Sequence, residues 1–105
     1  MAILTINEIK EKVAPIAEKY SIREVVLFGS YARGEQDEAS DVDLMVDLEG
    51  TPIQSLMDLV GLQYELEDAL GLPVDLLTKE QVYSQQYLSS RFNKRFEKEK
   101  KELYA

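Results

Sequence analysis

The chain contains no cysteine and no histidine. Without cysteine there can be no disulfide framework, thiolate nucleophile or thiolate metal site. Without histidine the commonest zinc ligand and the commonest base near neutral pH are both gone. A metal here must be a hard cation on oxygen ligands. A catalytic base must be a carboxylate, a lysine, a tyrosine or water. No apolar run approaches roughly 18 residues, so no membrane-spanning helix is expected. Residues 1–8 lack the basic flank and apolar stretch of a signal peptide, and the expected location is cytoplasmic. Bases are missing from one long stretch. Residues 34–78 hold twelve acids and no base, residues 1–33 four acids and five bases, and residues 79–105 four acids and seven bases. The formal charge is −8 over 105 residues. Phosphate-backbone binding needs a basic surface, so a bulk grip on nucleic acid is not expected. The length allows one domain over 1–105, and the 45% hydrophobic content excludes wholesale disorder.

Thr5 and Glu8 form the pattern of a capping box. Ile6, Ile9, Val13, Ile16, Ala17 and Tyr20 then mark one stripe of a helix, with Pro15 inside it as a candidate kink or early end. Ile22 to Phe28 is β-branched and apolar, and reads as a strand ending at Gly29. Residues 29–40 read as a loop, or a loop with one helical turn. Asp41 to Leu48 alternates. Val42, Leu44, Val46 and Leu48 share one face, and Asp41, Asp43, Met45 and Asp47 the other, as in a half-buried strand. Residues 53–70 suit an amphipathic helix stopped by Gly71. Pro73 to Leu77 is a short strand, and Thr78 caps a last helix with Leu88, Phe92 and Phe96 on its buried stripe. Residues 103–105 either fray or add a short strand. The order α-β-loop-β-α-β-α predicts an α/β (α+β) fold with a mixed sheet flanked by helices.

Asp41 and Asp43 are two apart on a strand, so both side chains leave one face, with Cα atoms roughly 6.6–7 Å apart. Carboxylates so placed can converge on one metal or a close pair. On alternation alone a polar outer face is the favoured reading, and Asp47 fits it too. Three facts shift the balance: the glycine-serine loop just upstream, the lack of bases over residues 34–78, and Asp75, which interrupts an apolar strand where a carboxylate is costly unless paired or coordinated. A neighbouring strand would bring it beside Asp41 and Asp43 to make a Mg²⁺ site. Upstream, Gly29 lets backbone approach a ligand closely, Ser30 offers a hydroxyl and Arg33 can fork onto phosphate oxygens. An ordinary tight turn with a surface arginine is the plainer reading of that loop. A P-loop fails, since Glu35 and Gln36 stand where lysine and serine or threonine are required. An EF-hand starting at Asp41 fails at Met45 and Val46.

Gly29-Ser30, ten residues, then Asp41-Val42-Asp43 resembles the signature of the polymerase-β-like nucleotidyltransferase superfamily. The longer strings Phe28 to Gly34 and Ser40 to Leu44 are similar to those of the minimal nucleotidyltransferases. Pro73 to Thr78 resembles the strand carrying that family's third carboxylate. The resemblance implies that Gly29 and Ser30 hold a nucleoside triphosphate, with Arg33 as a further phosphate contact. It implies that Asp41, Asp43 and Asp75 bind two Mg²⁺ ions. One ion would activate an acceptor hydroxyl and the other would neutralise the triphosphate and leaving pyrophosphate. Asp75 would hold the acceptor-side ion and take the acceptor's proton.

Larger family members carry a second domain for the acceptor, for which this length leaves no room. The resemblance therefore implies a partner: a HEPN ribonuclease toxin, neutralised when this antitoxin transfers AMP from ATP to one of its tyrosines. Two alternatives stay open. The chain is a non-catalytic antitoxin that acts by contact, or it nucleotidylates a small molecule, with a homodimer completing the cleft. The basic residues Arg91, Lys94, Arg95, Lys98, Lys100 and Lys101 read first as a solvated helix face, and second as a site for an acidic partner or phosphates. Tyr83, Tyr87 and Tyr104 read as packing or interface residues, with self-adenylylation as the other option.

Overall fold

The computed structural model describes residues 4–37, 39–83 and 90–105, apart from the side chains of 90–93. Helix α1 spans Ile6–Lys19, opened by the expected reciprocal cap. The Glu8 N–H donates to Thr5 Oγ at 3.1 Å, and the Thr5 N–H donates to the Glu8 carboxylate at 2.8 Å. Pro15 does not end the helix. Strand β1 is Glu24–Phe28 and runs directly into a single helical turn, α2, Gly29–Arg33. Strand β2 is Val42–Asp47. Helix α3 spans Leu56–Leu70. It starts three residues later than the hydrophobic pattern predicts, because Ser55 and Asp58 make a second capping box, and it stops at the left-handed Gly71. Strand β3, Val74–Thr78, is followed by the short α4, Lys79–Val82, then α5, Ser90–Glu99, and β4, Lys101–Tyr104.

The four strands lie in the order β3-β2-β1-β4. Strands β1 and β2 are antiparallel, as are β1 and β4, while β2 and β3 are parallel and joined through α3. One face of the sheet, with Val25, Leu27, Val42, Leu44, Val46 and Leu76, packs in a core with Ile9 and Val13 of α1 and Leu62 and Leu66 of α3. The other face carries Val26 and Met45, which pack with Val82 and Phe96.

That second cluster corrects the half-buried reading of β2. Met45 is only 2% exposed. Alternation predicted a wet second face because it cannot see that α4 and α5 fold back over it. The single last helix of the sequence reading is instead a short α4 and a separate α5. Of its predicted stripe, Phe96 is buried at 2% exposure, while Leu88 and the Phe92 side chain lie outside the described residues. Tyr87 and the Arg91 side chain lie outside them as well. The chain's last residues take the strand alternative, as β4. Among the described residues no helix is long and apolar enough to cross a membrane.

Candidate active site

The register of the sheet builds a row of three side chains. Phe28 of β1 stands opposite Asp43 of β2, and Asp43 opposite Asp75 of β3. The next row down, Val26, Met45 and Leu77, is apolar. Below that, Glu24 stands opposite Asp47, and Lys79 lies 3.7 Å from each carboxylate. The three β2 acids predicted on one face therefore have different surroundings. Asp47 has a cation beside it and also accepts the Glu49 N–H at 3.1 Å, so its role is local. Asp43 is half-buried beside another acid. Asp41 lies one residue before β2 and is exposed.

The Asp43 carboxyl is pushed up to about 6, first of all by burial. The charges of Asp75 and Asp41 push the same way, and Arg33 only partly offsets them. Two carboxylates in register with only Arg33 offsetting them leave this place short of positive charge. Among the described residues no three acids stand close enough to form a finished metal cluster. Asp43 and Asp75 are register partners on neighbouring strands, and both Asp75 and Asp41 act on Asp43 through their charge. An all-oxygen set of neighbouring carboxyls with little positive charge beside it is chemically suited to a hard divalent cation.

The loop after β1 arrives at the same point. Gly29 has φ +76°, a left-handed conformation that disfavours a side chain. A Cβ on Gly29 would overlap the Asp43 carboxylate, lying 2.9 Å from its Cγ. Glycine is therefore required twice here, by the backbone and by the acid that packs against it. Tyr31 and Ala32, 1% and 7% exposed, anchor α2 in the core and leave Ser30 half-buried at its start. Arg33 is already engaged. Its Nε lies 3.0 Å from Glu35 and one terminal nitrogen 3.1 Å from Glu99 of α5.

Glu99 is the member of this neighbourhood that sequence reasoning missed. It is far from Arg33 along the chain, and no local pattern links a loop arginine to one glutamate in a charged helix. In sequence Phe28 reads as the end of a strand and the first residue of the glycine motif. Its ring meets Phe96 edge-on, with centroids 5.3 Å apart, and so ties α5 to the strand that carries the glycine loop. A groove of about 820 Å³ opens elsewhere, at the far ends of β2 and β3. Asp47, Ile53, Leu56 and Tyr83 help to line it, and none of Asp41, Asp43 and Asp75 does.

Comparison with known proteins gives concordant findings. Residues 6–104 match the nucleotidyltransferase domain family. A Methanocaldococcus jannaschii protein with a provisional protein adenylyltransferase name is 49% identical over 81 residues, covering 76% of this chain and 84% of its own. Protein adenylyltransferase MntA of Thermococcus cleftensis is 43% identical over 88 residues, covering 80% and 87%. Among solved structures, a toxin–antitoxin complex with AMP-PNP contains a chain of similar fold (TM-score 0.68, 22% identity, 91% of this chain and 73% of that one). So does the complex of tri-AMPylated Shewanella oneidensis HEPN toxin with its MNT antitoxin (TM-score 0.63, 18% identity, 96% and 73%).

Proposed function

Since the chain belongs to the nucleotidyltransferase domain family, we propose that it is a single-domain, Mg²⁺-dependent protein adenylyltransferase that moves AMP from ATP to a tyrosine of a partner HEPN toxin. The observation that carries this reading is the meeting of two distant motifs: Gly29 packs against the carboxylate of Asp43, and Asp43 pairs in register with Asp75. The protein adenylyltransferase name of the Thermococcus relative and the AMPylated HEPN toxin in the Shewanella complex support the choice of group and acceptor. The AMP-PNP complex supports an adenosine triphosphate donor.

In this reading Asp41, Asp43 and Asp75 hold two Mg²⁺ ions, which when bound supply charge neutralisation and Lewis acidity at the reacting phosphate. Burial and the neighbouring charges of Asp75 and Asp41 raise the Asp43 carboxyl, and a bound cation would offset both. Gly29 packs against that carboxylate, and its bare backbone with the hydroxyl of the next residue, Ser30, would receive the phosphates. Asp75, exposed at its strand position, accepts the proton of the incoming tyrosine hydroxyl on a carboxylate oxygen. Arg33 exchanges Glu35 or Glu99 for a phosphate oxygen when the nucleotide is seated.

Incubating the protein with its partner toxin, ATP and MgCl₂ should add adenylate mass to the toxin, read by intact-mass spectrometry. Asp43→Asn should lower that rate at least about 100-fold, since even groups that merely support a metal's ligands cost 10–100-fold when lost. Undiminished modification by a folded Asp43→Asn variant overturns the assignment. A second reading, an antitoxin that acts by contact alone, draws on the paired state of Arg33 and the unfinished acid cluster. It predicts instead that Asp43→Asn neutralises the toxin as fully as wild type.

A further inference from the structure

Helix α3 buries Leu62, Leu66 and Leu70 toward the core. At 100° per residue, Met57, Val60, Gly61 and Tyr64 fall on the opposite side of the helix. Met57 is 80% exposed and Tyr64 65%. Single apolar residues at a surface need no explanation, but these share one face over two turns. A helix with one face in water ordinarily gives that face to charged side chains.

Gly61 adds an independent observation. Glycine weakens a helix interior relative to alanine. The fold gives no reason for it, because a Cβ at Gly61 would meet nothing within 4 Å, and its φ is not among the left-handed ones. The missing side chain leaves a notch between Met57 and Tyr64, where a second backbone can approach closely.

Charge identifies the kind of occupant. α3 carries Asp58, Glu65, Glu67 and Asp68 and no base. Three of these are used within the fold. Asp58 caps the helix, Glu65 holds Lys19 and Tyr20, and Glu67 accepts the Val74 N–H. Asp68 is exposed on the apolar face, and no partner for it stands among the described residues. A second copy offering the same face would set this base-free helix against itself, and the Phe96 side of its basic α5 is already buried in its own fold. A basic helix would be attracted.

We infer that the outer face of α3, centred on Gly61, is a docking surface for an amphipathic helix of another protein, which lays an apolar stripe across Met57 and Tyr64 and basic residues beside Asp68. This surface lies across the sheet from the Asp43 row and stands whether or not that row transfers a nucleotide.

The test uses the full chain and a fluorescein-labelled helical peptide with a leucine stripe flanked by lysines. Its controls are a scrambled peptide of the same composition and a glutamate-flanked version. Fluorescence anisotropy should show saturable binding to the striped lysine peptide about tenfold or more tighter than to either control. Gly61→Leu should weaken it about tenfold or more while leaving circular dichroism and Tm unchanged or raised. Tyr64→Glu, on the same exposed face, should weaken it similarly. Absent binding, equal binding of the scrambled peptide, or indifference to both variants overturns the inference. Self-association in analytical ultracentrifugation that Gly61→Leu abolishes assigns the face to a second copy and overturns it equally.

Discussion

At the scale of single residues, the informative group is Asp43. Its carboxyl is raised from 3.8 to about 6, first by burial and then by Asp75 and Asp41. A raised carboxyl stabilises the folded state through its protonated form. That contribution is complete below about pH 4 and is lost as pH rises through about 6. The full shift corresponds to about 3 kcal/mol, which solvent screening at a half-buried group reduces to about 1–2. Asp43→Asn is uncharged throughout. In chelator it should match wild type near pH 4 in urea unfolding and exceed it by about 1–2 kcal/mol at pH 8. Spacing alone made Asp41 and Asp43 candidates, and the apolar context of Asp75 made it a third. What spacing could not supply was their inequality. Asp47 shares their alternation yet is neutralised locally by Lys79.

At the scale of elements, the boundary between β1 and α2 does the most. The strand must turn within one residue, and Gly29 permits this at φ +76°. Gly29→Ala should cost about 1–3 kcal/mol in urea unfolding, from left-handed backbone strain and the displaced Asp43 carboxylate. It should also weaken ATP binding more than that stability loss explains, because Asp43 must leave its row. Isothermal titration with ATP and Mg²⁺ checks this. The glycine-serine loop was readable from sequence as a close-approach turn. The helical turn was one of two options there, and the buried Tyr31 and Ala32 selected it. The late start of α3 was legible too, in Ser55 and Asp58, but the longer apolar pattern from Ile53 obscured it.

At the scale of the whole molecule, α5 turns a one-sided sheet into a two-sided one. Phe96 lies between Phe28 and Tyr83, with centroids 5.3 and 6.1 Å away, and Glu99 of the same helix holds Arg33. Phe96→Ala should cost about 3–5 kcal/mol. It should also raise amide exchange in α5 and β4 before the β1–β2 pair, which hydrogen-exchange mass spectrometry would resolve. Helix caps, strand alternation, the glycine turn and the spacing of Asp41 and Asp43 were determined by the sequence alone, because each depends on neighbours within about four residues. The absence of cysteine and histidine likewise limited the chemistry to oxygen ligands. The tertiary structure alone decided that Asp75 stands beside Asp43, that Gly29 rests on that carboxylate, that Glu99 takes Arg33 and that Met45 is dry. Each of these joins segments far apart in the chain. Strand order and helix packing select such contacts, and no local propensity encodes them.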